Sequence, residues 1–95
     1  MVNNEQIKTK EQVLKGLQEE LTYVLTITKK MSDDKEIRPN SLFGEDLGMD
    51  SLDIVEFVAR SEARFRFHAK DEDFEFMHNL NDVSDFVCAK LEIEL

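Results

Sequence analysis

Ser51 is the residue whose surroundings could support chemistry in this chain. It lies in Phe43-Gly44-Glu45-Asp46-Leu47-Gly48-Met49-Asp50-Ser51-Leu52-Asp53-Ile54-Val55-Glu56, an acidic stretch with glycine turns that leads into apolar residues at helical spacing. Asp50 is a natural N-cap, so Ser51 should open the helix with its hydroxyl directed outward. The first N–H groups of a helix have no partner within it, and its dipole is positive at that end, so a phosphate ester formed on the hydroxyl would be well placed. Asp50 and Asp53 act against the same anion, and the pattern therefore makes attachment feasible without requiring it.

Other chemistries fit less well. His68 and His78 could in principle activate a serine, but there is no Gly-x-Ser-x-Gly elbow, and catalysis by this chain is not expected. A calcium loop starting at Asp46 would need glycine where Ser51 stands and a bidentate glutamate where Phe57 stands. The single cysteine, Cys88, adjoins an apolar stripe and reads as a small buried thiol; with the two histidines it has no zinc-ligand spacing, so no metal site is expected.

Three helices are expected to position Ser51. Val13, Leu14, Leu17, Leu21, Val24 and Leu25 form one helical stripe from about residue 10 to about residue 28, opened by a capping box of Thr9 and Gln12. The β-branched run Thr22–Thr28 would suit a strand, but no partner strand is visible. Lys29 to Asp50 reads as a long ordered loop that Met31, Ile37, Leu42, Phe43 and Leu47 pack down. A second helix follows, with Ile54, Phe57, Val58, Ser61 and Phe65 on its inner face and Asp53, Glu56, Arg60 and Arg64 on the opposite one. The i, i+4 pairs Glu56–Arg60 and Glu62–Arg66 would support it by about 0.2–0.5 kcal/mol each. A short turn spans the Asp71–Met77 region, and Asn79 or Asn81 caps a last helix carrying Val83, Phe86, Val87 and Leu91. The fold class is all-α: a small bundle of three main helices plus one short helix, with a long first loop, in a single domain over 1–95 whose residues 1–9 are a frayed extension.

Composition agrees with one small domain. The chain has 95 residues, a net charge of −9 and 41% apolar residues. That size leaves little room for a deep cleft, and the charge has the wrong sign for nucleic acid or an anionic bilayer. Neither a signal segment nor a membrane span is visible, and a soluble cytoplasmic monomer is expected.

Leu47-Gly48-Met49-Asp50-Ser51-Leu52 resembles the Leu-Gly-x-Asp-Ser-Leu signature of acyl carrier proteins, and the likeness extends over about residues 37 to 90. The resemblance implies that Ser51 carries 4′-phosphopantetheine, transferred from coenzyme A by a phosphopantetheinyl transferase. It also implies that the chain presents acyl thioesters to an acyl ligase, acyltransferase or synthase of fatty-acid, lipid or secondary-metabolite synthesis. An aminoacyl or peptidyl carrier, or an unmodified acidic helical module, are the alternatives.

Partner docking is expected through Asp50, Leu52, Asp53 and Glu56, with Arg60 and Arg64 forming a basic band between acidic zones. An acyl pocket is expected between the second helix and the short helix, bordered by Phe43, Leu47, Val58, Ser61, Ala69, Phe74 and Met77. Relative to the family, Ser61 and Ala69 stand where aliphatic bulk is usual, while Phe74, Phe76 and Met77 add bulk, and Arg64, Arg66 and Lys70 occupy a stretch that is usually acidic or neutral. These departures suggest a specialised carrier with a reshaped pocket.

Overall fold

The computed structural model describes residues 9–28, 30 and 36–93. Its elements are α1 (Lys10–Ile27), α2 (Ser51–Phe65), a 3-10 helix (Asp71–Phe76) and α3 (Leu80–Leu91). The fold is all-α, and no strand occurs among the described residues.

α1 begins at the expected capping box. Thr9 Oγ1 accepts from the Gln12 N–H at 3.2 Å, and the Thr9 N–H donates to Gln12 Oε1 at 3.1 Å. Thr9 is therefore an ordered cap; the rest of the expected frayed segment, residues 1–8, lies outside the described residues. Val13, Leu17, Leu21, Val24 and Leu25 are all fully buried, as the stripe requires. The β-branched end of α1 remains helical because burial of Val24 and Leu25 outweighs weak local propensity. The hydroxyls of Thr26 and Thr28 donate to the carbonyls of Thr22 and Val24, one turn back, which accommodates these threonines on the helix.

α1 packs against both α2 and α3, so the core lies between three helices. α2 contributes Phe57, Val58 and Phe65, and α3 contributes Leu80, Val83, Val87 and Cys88. Asn79, one of the two expected caps, opens α3 by accepting from the Asp82 N–H at 2.8 Å. The buried Cys88 thiol is pushed up by desolvation, which fits a packing residue.

The described part of the first loop packs down over the bundle. Phe43, Leu47 and Met49 are buried in the core and Ile37 packs against it, while Met31 lies outside the described residues. The Phe43 ring meets the Phe57 ring edge-on at 5.6 Å. Two backbone bonds tie the loop to the chain around the start of α3: the Phe43 N–H donates to the His78 carbonyl at 2.9 Å, and the Asn81 N–H to the Pro39 carbonyl at 3.0 Å. Gly48 adopts φ 73°, a left-handed conformation that glycine takes without a Cβ clash, just before the chain enters α2. Sequence spacing thus becomes placement: an anchored loop fixes where Ser51 emerges.

Candidate functional site

Ser51 is the first residue of α2 and is exposed. The turn beneath it is held reciprocally. Asp50 Oδ1 accepts from the Asp53 N–H at 3.0 Å, and Asp53 Oδ2 accepts from the Asp50 N–H at 3.1 Å. The Asp50 carbonyl takes the Ile54 N–H. The Ser51 and Leu52 amides are thus the ones left to the exposed side of the helix start, where a phosphodiester on Ser51 would find donors. The residues present fit that group sterically, because Ser51, Leu52, Val55 and Glu56 are all exposed around it.

Leu52 is 77% exposed and Val55 50% exposed, so the display face is partly apolar; the sequence reading identified Leu52 but not Val55. Asp53 does not join this outer face. It is only 7% exposed, because a carboxylate at the third helical position folds back onto the Asp50 amide and is covered by a lysine. That lysine is Lys30, whose Nζ lies 2.5 Å from Asp53 Oδ2 and 3.6 Å from Asp50 Oδ2. The hydrogen bond from Lys30 holds the Asp53 carboxyl below its usual range, and the same bond raises the Lys30 ammonium. Lys30 is 23 positions before Asp53, and no local spacing could have signalled the contact.

The basic band also differs from expectation. Arg60 and Arg64 lie beside α1, and its carboxylates take up their charge. Arg60 Nε donates to Glu20 Oε1 at 2.8 Å, and the Arg60 guanidinium lies 3.9 Å from the centre of the Tyr23 ring. Arg64 donates to Glu19 Oε1 at 2.8 Å, to Glu20 Oε2 at 3.0 Å and to the Gly16 carbonyl at 3.3 Å. Arg60 therefore reaches across to α1 and makes no ion pair with Glu56 along its own helix. Glu62, the other expected helix-surface acid, accepts instead from the Ala69 N–H and lies 3.5 Å from His68.

Of the seven expected pocket residues, Phe43, Leu47, Val58, Ala69 and Met77 belong to the buried core of the bundle, Ser61 is buried, and Phe74 packs half-buried against that core. The Ser61 hydroxyl donates to the Phe57 carbonyl at 2.9 Å, which satisfies it in this apolar setting. Two open surface depressions of about 460 and 470 Å³ lie elsewhere, along α1 and between α1 and α2, and include none of the seven.

Comparison with known proteins agrees with this geometry. The family described as "Phosphopantetheine attachment site" matches residues 18–87, a span that runs from α1 through α3 and includes Ser51. The chain belongs to the acyl carrier protein family. It is 35% identical over 68 residues to an acyl carrier protein of Chloroherpeton thalassium (strain ATCC 35110 / GB-78), covering 72% of this chain and 85% of that protein. It is 34% identical over 71 residues to one of Chlorobium phaeobacteroides (strain DSM 266 / SMG 266 / 2430), covering 75% of this chain and 91% of that protein. As a family member the chain is a carrier and not a catalyst, and its cofactor is covalently attached 4′-phosphopantetheine. No helix among the described residues is long and apolar enough to cross a membrane.

Proposed function

We propose that Ser51 bears the phosphopantetheine arm and that the protein, as a cytoplasmic monomer, presents acyl groups to enzymes of fatty-acid, lipid or secondary-metabolite synthesis. The observation that supports this reading is an exposed serine at the first position of a doubly capped helix, delivered by a loop anchored at Phe43, Leu47 and Met49. The arm supplies a flexible terminal thiol that holds an acyl group as an activated thioester. In loading, Ser51 Oγ forms a bond to the pantetheine-bearing phosphorus of coenzyme A, and the bond to 3′,5′-ADP breaks. The hydroxyl proton passes to a base on the phosphopantetheinyl transferase.

This chain's own residues orient and display. Asp50 caps the turn and, with Leu52, Val55 and Glu56, offers partners a face that is acidic with an apolar centre. Asp53 serves docking indirectly, by fixing the cap, and Arg60 and Arg64 bound the face with charges already paired to α1. An acyl chain would shelter among Phe43, Leu47, Val58, Ser61, Ala69, Phe74 and Met77 by displacing the half-buried Phe74. Melting temperatures across an acyl-chain series should then vary with chain length, whereas a flat series would count against sequestration.

Intact-mass measurement tests the central assignment. Incubation with coenzyme A, Mg²⁺ and a broad-specificity phosphopantetheinyl transferase should add one phosphopantetheinyl group to the wild type and none to Ser51→Ala. No gain in the wild type, or a gain in the alanine variant, rejects Ser51.

A further inference from the structure

Ser51 is flanked by Asp50 and Asp53, and a phosphodiester on its oxygen would add a permanent negative charge beside two carboxylates. Carboxylates and a phosphodiester this close repel one another unless a cation faces them. The structure supplies one from the far side of the first loop. Lys30 is set in place by its own N–H, which donates to the Leu25 carbonyl at 2.9 Å just beyond α1. From there its ammonium reaches Asp53 Oδ2 at 2.5 Å and Asp50 Oδ2 at 3.6 Å. Asp53 Oδ2 is the same atom that accepts the Asp50 amide, so Lys30 touches the bond that closes the capping box.

We infer that Lys30 is a positioning residue for phosphopantetheine attachment: it offsets the carboxylates on either side of Ser51, so that the first turn of α2 keeps its shape when the phosphodiester is added. The inference rests on the assignment of Ser51 as the attachment site. Its distinguishing feature is that it ties Lys30 to the modification. A lysine that only stabilised the fold would matter equally with and without the arm.

The test compares unmodified and phosphopantetheinylated forms of the full chain for the wild type, Lys30→Arg and Lys30→Gln, by thermal melting at low salt, with loading verified by mass. In the wild type and Lys30→Arg, the modified form should melt no lower than the unmodified form. In Lys30→Gln it should melt about 4 °C below its own unmodified form, a size typical of one lost interaction in a domain this small. That gap should shrink in 0.5 M salt, where exposed charges are screened. Equal changes on modification in all three proteins would overturn the role of Lys30 while leaving Ser51 standing. A wild type that gains no mass would reject Ser51, and the inference with it. If Lys30→Gln does not fold, the Lys30 side-chain ¹⁵N resonance of the wild type decides: a shift on modification supports the contact, and an unchanged resonance overturns it.

Discussion

The two halves of α2 are built from the same amphipathic pattern and do opposite work. Its first half, Ser51 to Glu56, is fastened from below by Asp50, Asp53 and Lys30 and leaves Ser51, Leu52, Val55 and Glu56 exposed. Its second half, Phe57 to Phe65, buries Phe57, Val58, Ser61 and Phe65, and the arginines Arg60 and Arg64 are held by Glu19 and Glu20 of α1. Near the serine, Asp53 is paired to Lys30 while Asp50 and Glu56 remain exposed; farther along, Arg60 and Arg64 are both paired to carboxylates of α1. A net charge or a helical-wheel face cannot make that distinction, because it depends on which neighbouring element crosses the helix.

The largest expected effect comes from breaking the second half. Gly16 lets α1 approach α2 closely: a Cβ there would lie 2.6 Å from Phe65 Cζ and 3.2 Å from Arg64 Nε. Phe65 is buried, so its ring has little room to retreat. Gly16→Val should cost about 2–3 kcal/mol by overpacking, well beyond any gain in helix propensity, as read by urea or thermal unfolding. The folded fraction should still accept the phosphopantetheine arm, since Ser51 is at the other end of α2. Loss of modification beyond the loss of folded protein would show that the two halves are not independent.

The next effect concerns the first half and acid. Because Asp53 has its folded-state pKa depressed by Lys30, it contributes stability at pH values above its unfolded pKa of about 4, and this contribution is lost as pH falls through the lower folded value. Asp53→Asn should therefore be less stable than wild type at neutral pH, with the difference narrowing in acid below pH of about 4. Unfolding curves collected from neutral to acidic pH provide the check, and a difference independent of pH would mean that the ion pair contributes nothing. Lys30 has the opposite sign: its raised pKa keeps the ammonium charged, and its contribution is lost only as pH rises through that raised value, above about 10.5.

These contrasts also mark what was legible in the sequence. The helices and the exposed start of α2 followed from apolar spacing and caps, both of which are local, and the described helix boundaries fall where Thr9, Asp50 and Asn79 can cap. The Leu47-to-Leu52 pattern led to the family because it combines loop, serine and helix in one short run. Periodicity places Asp53, Arg60 and Arg64 on an outer face because it separates only inner from outer sides of an isolated helix. Their actual partners, Lys30, Glu19 and Glu20, come from α1 and the chain just beyond it. Lys30 in particular is defined by loop closure, which no residue pattern within the loop encodes.

A smaller effect is expected from the paired arginines. Arg60→Glu places like charge against Glu20, and because the Arg60 side chain is about one-third exposed the loss should be at most about 1 kcal/mol at low salt. Adding Glu20→Arg should recover only part of it, because Arg64 also donates to Glu20 and would then face a like charge. Partial recovery in the double variant, measured by melting, identifies the cross-helix pair as the role of this charge. If the single variant melts like wild type yet loads more slowly on the transferase, Arg60 acts on partners instead.

The smallest effect on stability, and the sharpest on the display face, should come from Leu52. It is 77% exposed, so Leu52→Ala removes little buried contact and should shift stability by less than about 0.5 kcal/mol. An apolar side chain held in water beside Ser51 is a candidate anchor for a partner, and losing an anchor of that kind typically costs more than about 1 kcal/mol of binding, roughly fivefold in KM. Phe76 provides the control. It is 72% exposed and equally apolar but belongs to the 3-10 helix rather than to the first turns of α2. Transferase kinetics should therefore show KM raised by Leu52→Ala and unchanged by Phe76→Ala, with kcat preserved in both. If the two substitutions have the same effect, recognition does not follow the first half of α2, and exposure of Leu52 is no guide to where the transferase docks.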